Sequence, residues 1–527
     1  MRASGVCTKR CSFVLLAICI LALGLLGSAQ AYEHHDSPVS FLEYEPGLIA
    51  EKASAKKPFF ILFSAQWCFW CEEFASKTLQ DKNVYNYLNN EFINVFVDAD
   101  VHDDLFRRFK GTGLPFVVFL NPDGSPLFRY AGTVYAKDFL EVAKDIKAQI
   151  GTGYSLDSDD EEIEYQPPEK WSKARYVKFR QQYIEGVVSH FDSQNYGFGK
   201  GEKSIFPKTS LYLLTKARGI QQKEILEQLH LKLIAAVKNI FDPIEGGFFR
   251  FAEEPEWSEP HYEKMADHNA GSALLLLKVA SLVQDERLKT ASSKTLAYLS
   301  SRLYDQKTGS YLSFQEADEA YYFLNANRRK AVIAPAVGKK IFTYRLAATL
   351  EYLLDVLRAS EDVVLRKNLA RALGFSSLAG TAHYYDLDQN KWQGRLSLVD
   401  LAGLTHLYAK AGKRLNSGAH SVTAQKYLAS TVLQYWDQKR GIFADGEGQT
   451  MDDTEHLMEL NGLLIQAMLT LDAKKYLPRI ESALKYFSAM SDFLEDRLWE
   501  GRQWQFAERY VPYLEASDQY MAWKRRR

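Results

Sequence analysis

Phe59-Phe60-Ile61-Leu62-Phe63-Ser64-Ala65-Gln66-Trp67-Cys68-Phe69-Trp70-Cys71 is the stretch that decides how this chain is read. Residues 59–65 form a continuous apolar run, as a strand buried on both faces requires. Two cysteines spaced C-x-x-C follow at once. Glu72 to Leu88 then reads as a helix, with Phe74, Leu79, Tyr85 and Leu88 on repeating faces. Orphan amide N–H groups and the helix dipole favour an anion at a helix start. Cys68 is therefore placed to be a thiolate near neutral pH and to attack a disulfide, and Cys71, one turn in, to resolve the mixed disulfide. Trp67 is expected to shield the sulfur and shape the docking surface, with Trp70 inside the motif as further support.

Working outward, Phe92 to Val97 is a second apolar strand, Leu105 to Phe109 a short helical piece, and Pro115 to Leu120 a third strand. Asn121-Pro122-Asp123-Gly124 is a hairpin turn by composition, and Leu127 to Tyr130 completes the hairpin. Tyr135 to Ile150 is an amphipathic helix. The order β-α-β-α-β-β-α, with a dithiol at the first strand-to-helix junction, is that of the thioredoxin fold. Gly113-Leu114-Pro115 opens the third strand. In that fold the matching proline is cis and packs beside the dithiol, and Pro115 takes this role by position, with Leu114 before it offering backbone to an extended substrate. A C-x-x-C is also a half-site for zinc. With no second C-x-x-C and no His pair nearby, redox use is the reading, and no cofactor or metal is expected beyond the Cys68–Cys71 pair itself.

The 527 residues are 46% hydrophobic and 25% charged with a net charge of −1, which points to a globular protein of two or three domains with no general affinity for nucleic acid or an anionic membrane. Lys9, Arg10, the apolar run Phe13 to Leu26 and the small-x-small site Ala29-Gln30-Ala31 read as a signal peptide over residues 1–31. The expected location is the bacterial periplasm. An uncleaved signal would anchor the chain in the membrane. Of the cysteines, Cys7, Cys11 and Cys19 leave with the signal and only Cys68 and Cys71 remain, a pattern that favours redox chemistry over stapling in an exported protein. A mature start at Tyr32-Glu33-His34 could chelate Cu(II) or Ni(II) through His34, against the plainer reading of a polar leader. Lys524 to Arg527 is read as a solvated terminus.

Residues 32–150 are thus assigned to the thioredoxin-like domain. Residues 151–170, acidic at Asp157-Ser158-Asp159-Asp160-Glu161-Glu162 and followed by Pro167-Pro168, are assigned to a linker. From Trp171 the chain reads as helices with a sparse repeat: Asp192 and Phe198, Asp242 and Phe248, Asp305 and Tyr311, Asp386 and Trp392, Asp437 and Phe443, each an aspartate followed six residues on by an aromatic. Asp496 to Trp504 is a degraded sixth copy. The aspartate caps a turn, a glycine (Gly197, Gly246-Gly247, Gly309, Gly441) is expected to take positive φ, and the aromatic plugs the loop. Six helical hairpins at this period predict a closed (α/α)6 toroid over residues 171–527, with an open α-solenoid as the alternative. The fold class is α/β thioredoxin-like followed by an all-α toroid.

Several strings together resemble the spermatogenesis-associated-protein-20 family. They are Lys57-Pro58, Cys68-Phe-Trp-Cys71, Leu79-Gln-Asp-Lys-Asn-Val84, Glu91-Phe-Ile93, Val97-Asp98, Pro115 through Gly124, Gly246-Gly-Phe-Phe-Arg-Phe251, Trp257 and Pro260-His-Tyr-Glu-Lys-Met265. The resemblance implies the same pairing of a thioredoxin-like domain with a six-hairpin toroid. Three departures stand out. Phe69 and Glu72 occupy places where that family has histidines. Leu62, six residues before Cys68, replaces the buried acid common in thioredoxins, so no internal proton acceptor is evident. His268, with Asp267 beside it, stands where the family has Asp.

Toroids of this kind bind sugars in the hole ringed by inner-helix starts. The candidates here are His261, Glu263, Asp267, His268, Asp452, Asp453, Glu455 and His456, where two carboxylates across a pocket could serve as acid and base. The plainer reading makes them caps and exposed polar faces, Asp452-Asp453-Thr454 being a helix start. The sequence thus implies an exported thiol–disulfide oxidoreductase acting on a protein client and recharged by an electron donor or acceptor protein. Its toroid would bind a carbohydrate-like ligand or the client. Two other classes stay open: a carbohydrate-active toroid with an accessory thioredoxin domain, and a binding or scaffold protein with an idle dithiol.

Overall fold

The computed structural model describes residues 37–150, 170–216, 219–360, 362–445, 451–488 and 505–526. The signal at residues 1–31, the leader at Tyr32 to His34, most of the acidic linker and the degraded repeat at Asp496 to Trp504 lie outside the described residues. Among the described residues no helix is long and apolar enough to cross a membrane.

The first unit is a five-stranded sheet. Its strands are β1 (Phe41–Glu43), β2 (Phe59–Ser64), β3 (Ile93–Asp98), β4 (Phe116–Leu120) and β5 (Pro126–Ala131), in the order β1-β3-β2-β4-β5. The first three run parallel, and β4 and β5 are antiparallel. Strand β2 is buried at every residue. Its side chains alternate between two layers. Phe60 and Leu62 pack with Phe139 and Ile146, while Phe59, Ile61 and Phe63 pack with Val95, Val97 and Phe109. That two-sided burial is why the run is continuously apolar. Helices α1 (Leu48–Lys52), α2 (Phe69–Glu73), α3 (Lys82–Glu91), α4 (Asp103–Arg108) and α5 (Ala136–Gln149) complete the unit. The single helix expected from Glu72 to Leu88 is two: α2 runs into a wide turn at Phe74–Thr78, and Asp81 restarts the chain by accepting from the N–H groups of Asn83 and Val84. Apolar periodicity spans the break because Leu79 stays in the core.

The rest is helical: α6 (Lys173–Ser189), α7 (Pro207–Lys216), α8 (Gly219–Asn239), α9 (Ala266–Val283), α10 (Glu286–Tyr298), α11 (Thr343–Ala359), α12 (Val363–Ser376), α13 (Leu398–Arg414), α14 (Gly418–Tyr435), α15 (Met451–Asp472), α16 (Leu477–Ser488) and α17 (Gln505–Arg525). The odd-numbered helices from α7 pack side by side in sequence, and α17 packs back against α7. The ring is therefore closed, which rules out the open solenoid. The even-numbered helices pack outside it.

Each copy of the Asp-to-aromatic repeat is a tight hairpin on this ring. The residue before each aspartate pairs with the aromatic: Phe191 with Phe198, Phe241 with Phe248, Tyr304 with Tyr311, Tyr385 with Trp392 and Trp436 with Phe443. The aspartates accept from the N–H groups two and three residues on, as Asp192 does from Gln194 and Asn195 and Asp437 from Lys439 and Arg440. One expectation fails. The positive φ falls four residues after every aspartate, so in the first copy Tyr196, not Gly197, adopts it (φ 60°), and in the fourth copy Asn390 does (φ 53°). The backbone conformation alone does not demand glycine at that place, since single residues can bear the left-handed region at a modest cost, but at Gly246 a Cβ would run into the Lys294 backbone.

Candidate functional site

Strand β2 delivers the dithiol to the end of the sheet, and α2 begins at Phe69. Cys68 is the N-cap: its sulfur accepts from the Cys71 N–H at 3.1 Å. The two sulfurs are bonded to each other. The Leu114–Pro115 peptide is cis, and Leu114 packs against the dithiol cluster.

The toroid then covers this end of the sheet. Cys68, Cys71, Trp67 and Ala65 share an apolar cluster with Met265, Phe314 and Phe342 of the ring. Polar ties surround it. The Trp67 indole N–H donates to Asp100 at 2.6 Å, and the second oxygen of Asp100 accepts from Tyr344 and from Arg345, each at 3.1 Å. His383 donates from Nε2 to the Asp100 carbonyl at 2.8 Å and from Nδ1 to Asp400 at 2.6 Å. Burial pulls the His383 imidazole down, but the Asp400 carboxylate more than offsets this and lifts it to about 10, so both nitrogens carry protons at neutral pH. Lys340 reaches Asp98 at 2.5 Å and Arg107 reaches Asp445 at 3.0 Å. The Arg250 guanidinium lies over the Trp67 ring, 4.6 Å from its centre. Trp67 therefore serves the domain interface as much as the sulfur. Trp70 is the more exposed indole, at 37%, and stands 3.4 Å from Nε2 of His261.

Two cavities open on the sulfurs. One, of about 480 Å³, has Cys68, Gly113 and Leu114 on one wall and Arg250, His261, Glu263, Asp267, His268 and Arg345 on the other. The second, of about 400 Å³, holds Cys68, Cys71 and Glu72 together with Glu316 and Asp318 from the toroid. Four of the candidate toroid residues thus share one chamber with Cys68. In it Glu263 is buried and accepts from Arg250 at 2.9 Å; burial raises its carboxyl and Arg250 partly offsets this. Burial and the nearby Arg250 charge push His261 down to about 3. Burial also takes His268 to about 4, against the pull of Asp267. Both imidazoles are neutral at neutral pH.

The other candidates do not join them. Glu455 is buried and accepts from the Tyr510 hydroxyl, and His456 is buried and neutral because desolvation lowers it. The side chains of Asp452 and Asp453 lie outside the described residues. The hole of the ring is a further cavity of about 770 Å³, lined by Asp267 and Glu515 and by three carboxylates with close nitrogen partners. Glu351 pairs with His406 at 2.9 Å, Asp355 with Lys410 at 2.8 Å and Glu459 with Lys208 at 2.5 Å.

Sequence reasoning missed Glu316, Asp100 and Arg345, which no motif marks. It quoted Arg250 only within a string of family resemblance. Glu316 is an acid on the wall of the smaller cavity, where Cys68 and Cys71 also lie. It accepts from Gln66 at 3.0 Å, and burial, less the Gln66 bond and with the Glu72 charge added, raises it to about 7.

The profile of the thioredoxin-like domain family matches residues 48–147. Spermatogenesis-associated protein 20 of Rattus norvegicus is 21% identical over 324 residues, covering 54% of this chain and 40% of that protein. The chain thus spans about two fifths of the length of these curated relatives. The thiol:disulfide interchange protein DsbD of Vibrio vulnificus is 31% identical over 144 residues, 23% of this chain and 24% of that one. Among solved structures, the cellobiose 2-epimerase from Spirochaeta thermophila superposes with a TM-score of 0.50 at 13% identity, over 67% of this chain and 100% of that one. That likeness concerns the fold of the helical ring. The chain is therefore a thioredoxin-like unit joined to an α/α toroid, similar to the spermatogenesis-associated protein 20 family.

Proposed function

We propose that this thioredoxin-like unit is a thiol–disulfide oxidoreductase whose dithiol works inside a chamber completed by the toroid. One observation carries the reading: Cys68 caps the helix, its sulfur held by the Cys71 N–H, and borders two cavities. A sulfur so placed is stabilised as a thiolate by the amide and the helix dipole. In the oxidising direction a substrate thiolate attacks Cys68, a mixed disulfide forms and Cys71 leaves as a thiolate. In the reducing direction the Cys68 thiolate attacks a substrate disulfide and Cys71 then displaces the product thiol from Cys68. Glu316, across the smaller cavity, takes and returns the proton of Cys71. The exported location read from residues 1–31 suits such a couple.

The test is equilibration of the full chain against glutathione and dithiothreitol buffers. We expect a single two-electron couple between the thioredoxin value of about −270 mV and the oxidant value of about −120 mV. Cys68→Ser should abolish exchange, and Cys71→Ser should trap mixed disulfides on Cys68. A wild-type dithiol that exchanges with neither buffer overturns the reading.

A further inference from the structure

The chamber shared by Cys68 and the toroid holds polar atoms that nothing satisfies. Glu263 Oε2, Asp267 Oδ1, His268 Nδ1 and Arg345 Nε are all buried and lack a hydrogen-bond partner among the described residues. All four residues line the same cavity of about 480 Å³ as Cys68. Glu263 is 1% exposed, so its free oxygen has no recourse to bulk solvent. A buried polar group left unpaired is costly, and four against one reactive sulfur mark a site built for a polar ligand. The cavity lies within the range of about 300–1,000 Å³ typical of small-molecule sites.

The walls also limit the size of what reacts. Gly113 and Leu114, the backbone that would meet an extended peptide, face this cavity across from Pro207 and Arg250. The apolar cluster and the ties through Asp100, Asp98 and Glu316 hold the toroid on the dithiol. A folded protein could not reach Cys68 without breaking them.

The charge of the walls selects the ligand class. Two carboxylates, Glu263 and Asp267, present unmet oxygens that take donors, while the guanidinium groups of Arg250 and Arg345 on the same walls are already held by Glu263 and Asp100, which leaves Arg345 Nε as the one unmet buried cationic donor there among the described residues. A ligand that brings ammonium groups satisfies the carboxylates with charge-assisted bonds. Resting on the redox reading above, we propose that the substrate is a small aminothiol or its disulfide, bound with its ammonium group on Glu263 and Asp267 and its sulfur at Cys68. In the reducing direction the Cys68 thiolate attacks one sulfur of the aminothiol disulfide. That S–S bond breaks, and the first aminothiol leaves as a thiolate and takes a proton. Cys71, giving up its proton, attacks Cys68 and releases the second aminothiol. The Cys68 thiolate and the Cys71 thiol together lose two electrons and one proton, the second proton comes from solvent, which received it when Cys68 ionised, and the substrate disulfide becomes two thiols.

The experiment uses the reduced full chain and a pair of disulfides of similar length and opposite charge, cystamine and dithiodiglycolate. Insulin serves as the protein disulfide. Each rate is divided by the rate of the same disulfide with free N-acetylcysteine, which removes intrinsic reactivity. We expect the normalised cystamine rate to saturate with concentration and to exceed the dithiodiglycolate rate at least tenfold, with insulin slower than both. Asp267→Asn, on a partly exposed side chain, should cut that preference about fivefold or more, and Glu263→Gln should do the same if it folds. A preference for dithiodiglycolate, or a faster rate with insulin, overturns the aminothiol assignment while leaving the redox reading intact. Failure of all three disulfides to react overturns both.

Discussion

Glu316→Gln isolates the acid that the toroid lends to the dithiol. Its carboxyl rises from an ordinary 4.5 to about 7, first because burial penalises the anion, an effect that the Gln66 bond reduces and the Glu72 charge increases. At intermediate pH the folded state thus holds a proton that the unfolded chain releases. The stability associated with this group is complete below about pH 4.5 and is lost as pH rises through 7. A shift of this size corresponds to about 3 kcal/mol lost by pH 8. Glutamine does not ionise, and its amide oxygen can still accept from Gln66 at 3.0 Å. The variant should therefore match wild type within about 0.5 kcal/mol at pH 4 and exceed it by up to about 3 kcal/mol at pH 8. Urea unfolding of the oxidised protein at both values, followed by tryptophan fluorescence, reads the difference. The rate of exchange should inflect near pH 7 in wild type and lose that inflection in the variant. Equal stability differences at pH 4 and pH 8 would refute the reasoning, because Glu316 would then not titrate between them.

Two further outcomes follow from the interface. Asp100→Ala removes the acceptor of Trp67, Tyr344 and Arg345 at once and leaves a buried guanidinium without its closest anion. Breaking such a pair typically costs about 3–5 kcal/mol, so the two units should separate and the small-angle scattering radius should rise; an unchanged radius and an unchanged unfolding midpoint would contradict this. His383 titrates at about 10 because Asp400 outweighs the burial that would lower it. Its contribution is complete below pH 6.5 and is lost as pH rises through 10. His383→Gln should remove that alkaline loss, as checked by thermal unfolding between pH 6.5 and 10.5.

Much of the site was legible where function is local. Cys68, Cys71 and Pro115 share a short-range logic: a strand, a helix start and a strand-initial proline. The hairpin repeat was legible too, since aspartate, turn and aromatic lie within seven residues. Tyr196 in the place expected for Gly197 shows the limit of that logic, for the register of the turn, rather than residue type alone, decides which residue takes positive φ. By sequence, His261, Glu263, Asp267 and His268 are candidates for a sugar pocket in the ring. All four line the chamber of Cys68, because the toroid docks the segment Pro260–Met265 onto the dithiol, and Asp267 also lines the hole of the ring.

The amino-acid sequence by itself determined the two architectures and the dithiol, since strand burial, helix capping and turn chemistry act between residues close along the chain. Only the tertiary structure decided what faces the dithiol. Gln66 meets Glu316 across 250 positions and Asp100 meets Arg345 across 245. No local pattern encodes contacts at such separation. They arise when two independently patterned units bury a common apolar surface and must then satisfy every polar group trapped with it.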